Sequence, residues 1–186
     1  MQNINGSKNE AGFSYIDVMV AMVILLIGIL GLLSGISASV LLSRGQQQQL
    51  TARHIAATTM ESIMSAKETK DLDRMGWKSI GNVGSNIEAG VPKGIFVVGV
   101  KLVKPGAGAD EILGTADDDG VVMDGFQREI VIIDQCDPDR PSFVCPDPGA
   151  WPVRMRTVSV TVTYFVGPTQ RQENLTTVLA DYEKVQ

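Results

Sequence analysis

Few residues in this chain carry reactive chemistry. There is one histidine, His54, and there are two cysteines, Cys136 and Cys145. Ser-His-Asp and Cys-His catalysis would both rest on His54, and no nucleophile stands beside it in sequence. It reads as a solvated surface histidine. A four-ligand zinc site of His and Cys is out of reach without ligands from another chain. The densest titratable stretch is residues 105–125, PGAGADEILGTADDDGVVMDG, which holds six acids and no Lys or Arg. Hard cations want such oxygen ligands. Thr115, Asp117, Asp119 and Gly120 fit the first, third, fifth and sixth places of an EF-hand loop, but Phe126 takes the twelfth, where a bidentate acid belongs. Two readings follow. One is a calcium site of other geometry, with Asp117 and Asp119 as leading ligands and Asp110 next. The other is a solvated, self-repelling hairpin loop. With no Gly-rich phosphate loop either, the chain reads as non-enzymatic.

Composition narrows the field further. The 186 residues carry a net charge of −5, with 44% hydrophobic, 20% charged and 5% aromatic residues. That excludes a disordered acidic chain. It also argues against nucleic-acid binding, which needs a basic face or stacking aromatics.

The elements that must position these residues divide the chain unevenly. Between Asp17 and Arg44 lie 26 residues, Val18 to Ser43, without a charge. Such a run is long enough to span a bilayer as a helix. It exceeds the h-region of a secretory signal, and only Lys8 precedes it as a side-chain cation, although Ser37-Ala38-Ser39 offers small residues for cleavage before Val40. Lys8 on one side against Arg44 and Arg53 on the other mildly favours the reverse orientation. The short N-terminal tail and the domain-like remainder favour export of the C-terminal part. Helical character continues beyond the run: Ala52, Ile55, Ala56, Thr59, Met60 and Ile63 recur at three- and four-residue spacing. A helix from Ser14 to Lys70 would be about 85 Å long, uniformly apolar first and amphipathic after. Gly28, Gly31 and Gly35 permit close helix approach or a bend.

After Asp71 the period changes. Residues 94–104, 126–134, 153–166 and 174–183 read as strands, with Val158, Val160, Val162, Tyr164 and Val166 on one face. Four strands in succession predict an antiparallel meander with one apolar face, and the helix stripe is its natural cover. Trp77 and Trp151 are expected at the sheet edges.

Ahead of the apolar run stands Gly12-Phe13-Ser14-Tyr15-Ile16-Asp17-Val18. Gly, then Phe, then a lone acid four residues on, then unbroken apolar sequence, resembles the prepilin signal of type IV pilins and type II secretion pseudopilins. The resemblance implies cleavage by a prepilin peptidase between Gly12 and Phe13, and N-methylation of Phe13. It implies an α+β, type IV pilin-like fold: a long N-terminal helix on a four-stranded antiparallel meander. Residues 1–12 become a leader, 13–43 a transmembrane and assembly helix, and 44–186 a periplasmic head (amphipathic helix 44–70, loops and sheet 71–186). The family usually has Glu where this chain has Asp17, one methylene longer, and its partner there is thought to be the α-amine of an adjacent subunit. A local role for Asp17 at the helix start is the alternative. Residues 20–32 and 56–63 look like those of the PilV-like minor pilins, the type IV pilus modification proteins. The absence of Pro from the run also favours a minor over a major pilin.

The implied partners are the peptidase, other pilins or pseudopilins, and the bacterial inner membrane before assembly. The resemblance also supports a disulfide between Cys136 and Cys145, which an exported compartment allows. A type II pseudopilin remains the alternative within the family. A membrane-anchored, calcium-dependent binding or sensor protein that does not polymerise is the alternative outside it.

Overall fold

The computed structural model describes residues 14–69, 76–85, 87–88, 91–135 and 153–181. Gly12, Phe13, Cys136, Cys145 and Trp151 lie outside them, and with them the processing and disulfide expectations. The chain divides into two compact units, residues 1–43 and 44–186.

Helix α1 runs Tyr15–Glu68. Through residues 18–43 it is made of Leu, Ile, Val, Ala, Met, Gly and Ser with no proline, so nothing interrupts its hydrogen-bond ladder. Ser37 bonds back to Leu33 O at 2.9 Å, so its hydroxyl is satisfied inside the helix. Past residue 43 the helix becomes amphipathic and buries Ala52, Ile55, Ala56, Thr59, Met60, Ile63 and Ala66. That is the expected stripe extended by one residue. The helix ends where Gly76 N–H reaches back to Ala66 O at 2.9 Å.

The second unit builds its sheet from β3 (Lys101–Leu102), β4 (Phe126–Gln135), β5 (Met155–Val166) and β6 (Thr169–Ala180), after a separate two-strand ribbon of β1 (Ile87–Glu88) and β2 (Val91–Pro92). The sheet is antiparallel throughout, in the order β3-β4-β5-β6. It is the expected meander, and with α1 it forms the expected α+β arrangement. Inward from β4 and β5 come Ile130, Ile132, Val158, Val160, Val162 and Tyr164, which join the helix stripe in one core with Phe96, Ile80 and Val103. Each buried Val or Ile contributes roughly 1.5–3 kcal/mol. Ala52, Ala56 and Ala66 leave room for the larger sheet residues.

Two strands depart from expectation. The predicted strand 94–104 pairs with β4 only at 101–102. Upstream, Asn82 has taken the place of a neighbour: its Nδ2 donates to Ile130 O and its Oδ1 accepts from Ile132 N–H, both at 2.8 Å. One amide side chain thus occupies the edge of β4, and Phe96 bridges Asn82 instead. The predicted 174–183 strand begins earlier, at Thr169. Gly167, at φ 59°, opens a two-residue hairpin that lets the chain return at once.

Candidate functional site

Residues 15–43 of α1 present their side chains outward: Leu25, Leu26, Ile27, Leu32 and Leu42 are each more than half exposed. By length and composition the helix is long and apolar enough to cross a membrane. Gly28, Gly31 and Gly35 have open space where a Cβ would stand. At the head of the run, Asp17 Oδ2 accepts from Ser14 N–H at 3.3 Å, and Asp17 N–H donates to Ser14 O at 2.9 Å. An acid three residues into a helix that reaches back to the first backbone N–H is half of a capping box. The local role foreseen for Asp17 is therefore present in the single chain.

The acidic loop is organised by a residue that sequence reasoning passed over. Asp118 accepts from Gly114 N–H at 3.0 Å, from Thr115 N–H at 3.3 Å and from Arg128 Nη2 at 2.5 Å. Arg128 is 5% exposed, and its other terminal nitrogen donates to Thr59 of α1 at 3.1 Å. Lys104 Nζ adds a bond to Asp118 O at 2.9 Å. The loop is consequently clamped to β4 and to α1, and Ser62 Oγ accepts from Leu113 N–H at 2.8 Å beside the clamp. Gly114 has to be glycine: its φ is 102°, and a Cβ there would overlap Ile130.

Of the three acids expected as calcium ligands, Asp110 and Asp117 lie close enough to influence each other. Asp117 Oδ2 accepts from Ala109 and Asp110 N–H at 2.8 and 3.1 Å, and its Oδ1 from Thr115 Oγ1 at 2.6 Å. Asp110 Oδ1 accepts from Ile112 N–H at 2.8 Å. The backbone of Asp119 pairs with Gly106 in both directions at 3.0 Å. Among the described residues no group of three or more His, Cys, Asp or Glu is placed to hold a metal ion. Loop N–H groups and the Thr115 hydroxyl already use both Asp117 oxygens, and the Ile112 N–H uses one of Asp110. The Thr115 hydroxyl, followed by the loop N–H groups, holds the Asp117 carboxyl below its ordinary range. Burial pushes that of Asp110 up, and the charge of Asp117 adds to the push. Nor is the loop freely solvated, since Arg128 and Lys104 reach it from outside the acidic stretch.

A second buried arginine was also missed. Arg156 is 2% exposed, lies over the Trp77 ring at 4.5 Å, donates to Asp134 Oδ1 at 2.8 Å and bonds Trp77 O. Trp77 Nε1 donates to Val153 O at 2.8 Å, which places Trp77 at the end of β5. A sequence signal existed for both arginines. Arg128 and Arg156 fall in the same alternation as the inward Ile130 and Val158, so each is a charge on an apolar face. His54 is exposed on α1.

Where the chain upstream of β3 parts from β4, a cleft of about 530 Å³ opens, lined by Val97, Val100, Lys101, Lys104, Arg128 and Ile130 among others. Two of its cations, Lys104 and Arg128, are already bonded to Asp118. Comparison with family models, with curated proteins and with solved structures finds no match.

Proposed function

We propose that this chain is a minor pilin or pilus modification protein: a structural subunit cut by a prepilin peptidase and built into, or priming, a type IV pilus. The observation that carries the reading is the start of α1. A helix that is uncharged from Val18 to Ser43 and exposes its apolar side chains there begins directly behind Gly12-Phe13 in sequence, with Asp17 as the acid immediately ahead of the uncharged stretch. At about 1.5 Å per residue the uncharged part is about 39 Å long, enough to cross the hydrocarbon of a bilayer.

In this reading the bacterial inner membrane stores the subunit, and the second unit faces the periplasm. On assembly the same side chains exchange lipid for the helices of other subunits. Both surroundings are apolar, so the exchange has little hydrophobic cost. Gly28, Gly31 and Gly35 allow neighbouring backbones to approach. Asp17, held at the helix start by Ser14 N–H, keeps a second carboxylate oxygen for the α-amine that cleavage would create at Phe13 of a neighbour. A buried carboxylate is tolerated when so paired. A type II pseudopilus would use the same physics in another machine.

The test is incorporation. In cells with a working prepilin peptidase, the chain should appear in the sheared surface-filament fraction. A cysteine introduced at Leu26 should cross-link it to another subunit there. Retention wholly in the inner membrane, in cells that assemble filaments from their other subunits, would refute incorporation.

A further inference from the structure

The β5–β6 hairpin runs alongside the helix from the point where the second unit begins. Residue 45 is glycine, and a Cβ there would stand 3.1 Å from Val166 Cγ1, so the hairpin packs on the helix backbone. A turn further on, Gln49 Nε2 donates to Glu173 Oε1 at 2.7 Å, and a turn beyond that Arg53 Nε donates to Glu173 Oε2 at 3.0 Å. Glu173 is paired with Val162. From Arg53 back to Gly45 the helix covers about 12 Å, and from Val162 to Val166 the strand covers about 13 Å. The two keep pace, so Gly167 and Pro168, next in the chain, come level with Arg44, the first residue of the unit.

This end of the unit is apolar at the hairpin tip and cationic behind it. Residues 165–170, FVGPTQ, carry no charge. Phe165 is 45% exposed, and Pro168 is exposed in the turn. Behind them stand Arg44 and Arg171, the latter exposed and opposite Tyr164. Neither makes an ion pair among the described residues. From Arg44 the helix has no acid before Glu61, and Glu173 is already held by Gln49 and Arg53. Arg44, Arg53 and Arg171 against Glu173 leave this end positive in a chain whose net charge is −5.

We propose that the tip of the β5–β6 hairpin, Phe165 to Pro168, seats in the headgroup layer of the bilayer, with Arg44 and Arg171 at lipid phosphates. The proposal rests on the membrane-spanning part of the reading above, and it is independent of cleavage and of polymerisation. The chain itself supplies the occupant. An uncharged run that crosses a bilayer leaves it where charge begins, and Arg44 follows Ser43 directly. The headgroup layer then surrounds whatever is level with Arg44, and the hairpin tip is. An aromatic ring and a proline in that layer exchange water for the ends of acyl chains. The cations just outside are drawn to anionic lipid, where acids would be repelled. The second unit is thus held to the membrane at two points, its helix and its hairpin.

The test uses the full chain in nanodiscs of phosphatidylcholine and phosphatidylglycerol, with tryptophan as the probe of depth. Phosphatidylcholine brominated near the glycerol end of its acyl chains quenches a tryptophan that reaches them. Each variant is read against the unsubstituted chain, whose Trp77 and Trp151 set the background. Phe165→Trp should lose most of its added emission in the brominated discs. Val121→Trp, at a position 87% exposed on the acidic loop, should lose none. Arg128 clamps that loop to α1 at Thr59, about 21 Å along the helix from Gly45. Leu26→Trp, inside the uncharged run, should be quenched by lipid brominated deeper in the chains. If Leu26→Trp escapes quenching, the helix does not span, and the proposal falls with that reading. If Leu26→Trp is quenched and Phe165→Trp is not, the hairpin contact alone is overturned. Equal quenching of Phe165→Trp and Val121→Trp would overturn it too. Adding Arg171→Gln to Phe165→Trp should weaken the loss, and an unchanged loss would overturn the phosphate contact.

Discussion

At the scale of single residues, Arg128 and Asp118 do the most to shape the second unit. Their side chains are 5% and 10% exposed, and they join α1, the acidic loop and β4. Removing one partner of a buried ion pair strands the other, at a cost of about 3–5 kcal/mol. Asp118→Ala should therefore destabilise the fold by about that much in urea titration, and Arg128→Met with Asp118→Leu should recover part of the loss. Glu173 offers a pH test. It accepts from Gln49 Nε2 at 2.7 Å and from Arg53 Nε at 3.0 Å, and these bonds, Gln49 first, hold its carboxyl below the ordinary range. A carboxyl depressed by folding adds stability above its unfolded pKa and loses it as pH falls through the folded value. Asp117 acts in the same direction, and Asp110, raised by burial, acts in the opposite one. The melting temperature should thus fall on acidification below about pH 4.5. Glu173→Gln should flatten that fall, measured by thermal melts across the range.

At the scale of elements, the helix stripe was legible because one feature governs it. Ala52 to Ile63 repeat at helical spacing, and only a packed face needs that spacing. The alternation in β5 was legible for the same reason. The edge of the sheet was not. Residues 94–104 have the composition of a strand, yet the chain departs from β4 because the amide of Asn82, far away in sequence, fills the pairing site. No local pattern announces a side chain acting as a strand. Asn82→Ala should leave Ile130 C=O and Ile132 N–H without that partner and cost about 1–3 kcal/mol. Amide exchange at Ile132 should accelerate well beyond that at Val160 on the central strand. Equal protection at both would show that another group replaces Asn82. The acidic loop was legible only in composition, which left a cation site and a solvated hairpin both open: what a carboxylate can bind depends on what it already accepts, and the loop's own N–H groups and the Thr115 hydroxyl bond Asp110 and Asp117.

At the scale of the whole chain, the sequence divides its labour plainly. One unit carries a helix that is uncharged beyond Asp17 and exposed along its described length, and the other carries a sheet, a core and every ion pair described here. The α+β layout was readable because hydrophobic period changes once, near Asp71. The proposed function rests on a shorter stretch, Gly12 to Asp17, in which residue type and position match a processing signal. The decisive measurement is the intact mass and N-terminal sequence of the membrane-extracted chain, made with and without a co-expressed prepilin peptidase. The account predicts a peptidase-dependent start at N-methylated Phe13, with the apolar helix retained. A start at Met1 in the presence of an active peptidase, or at Val40 after loss of the helix, would contradict it.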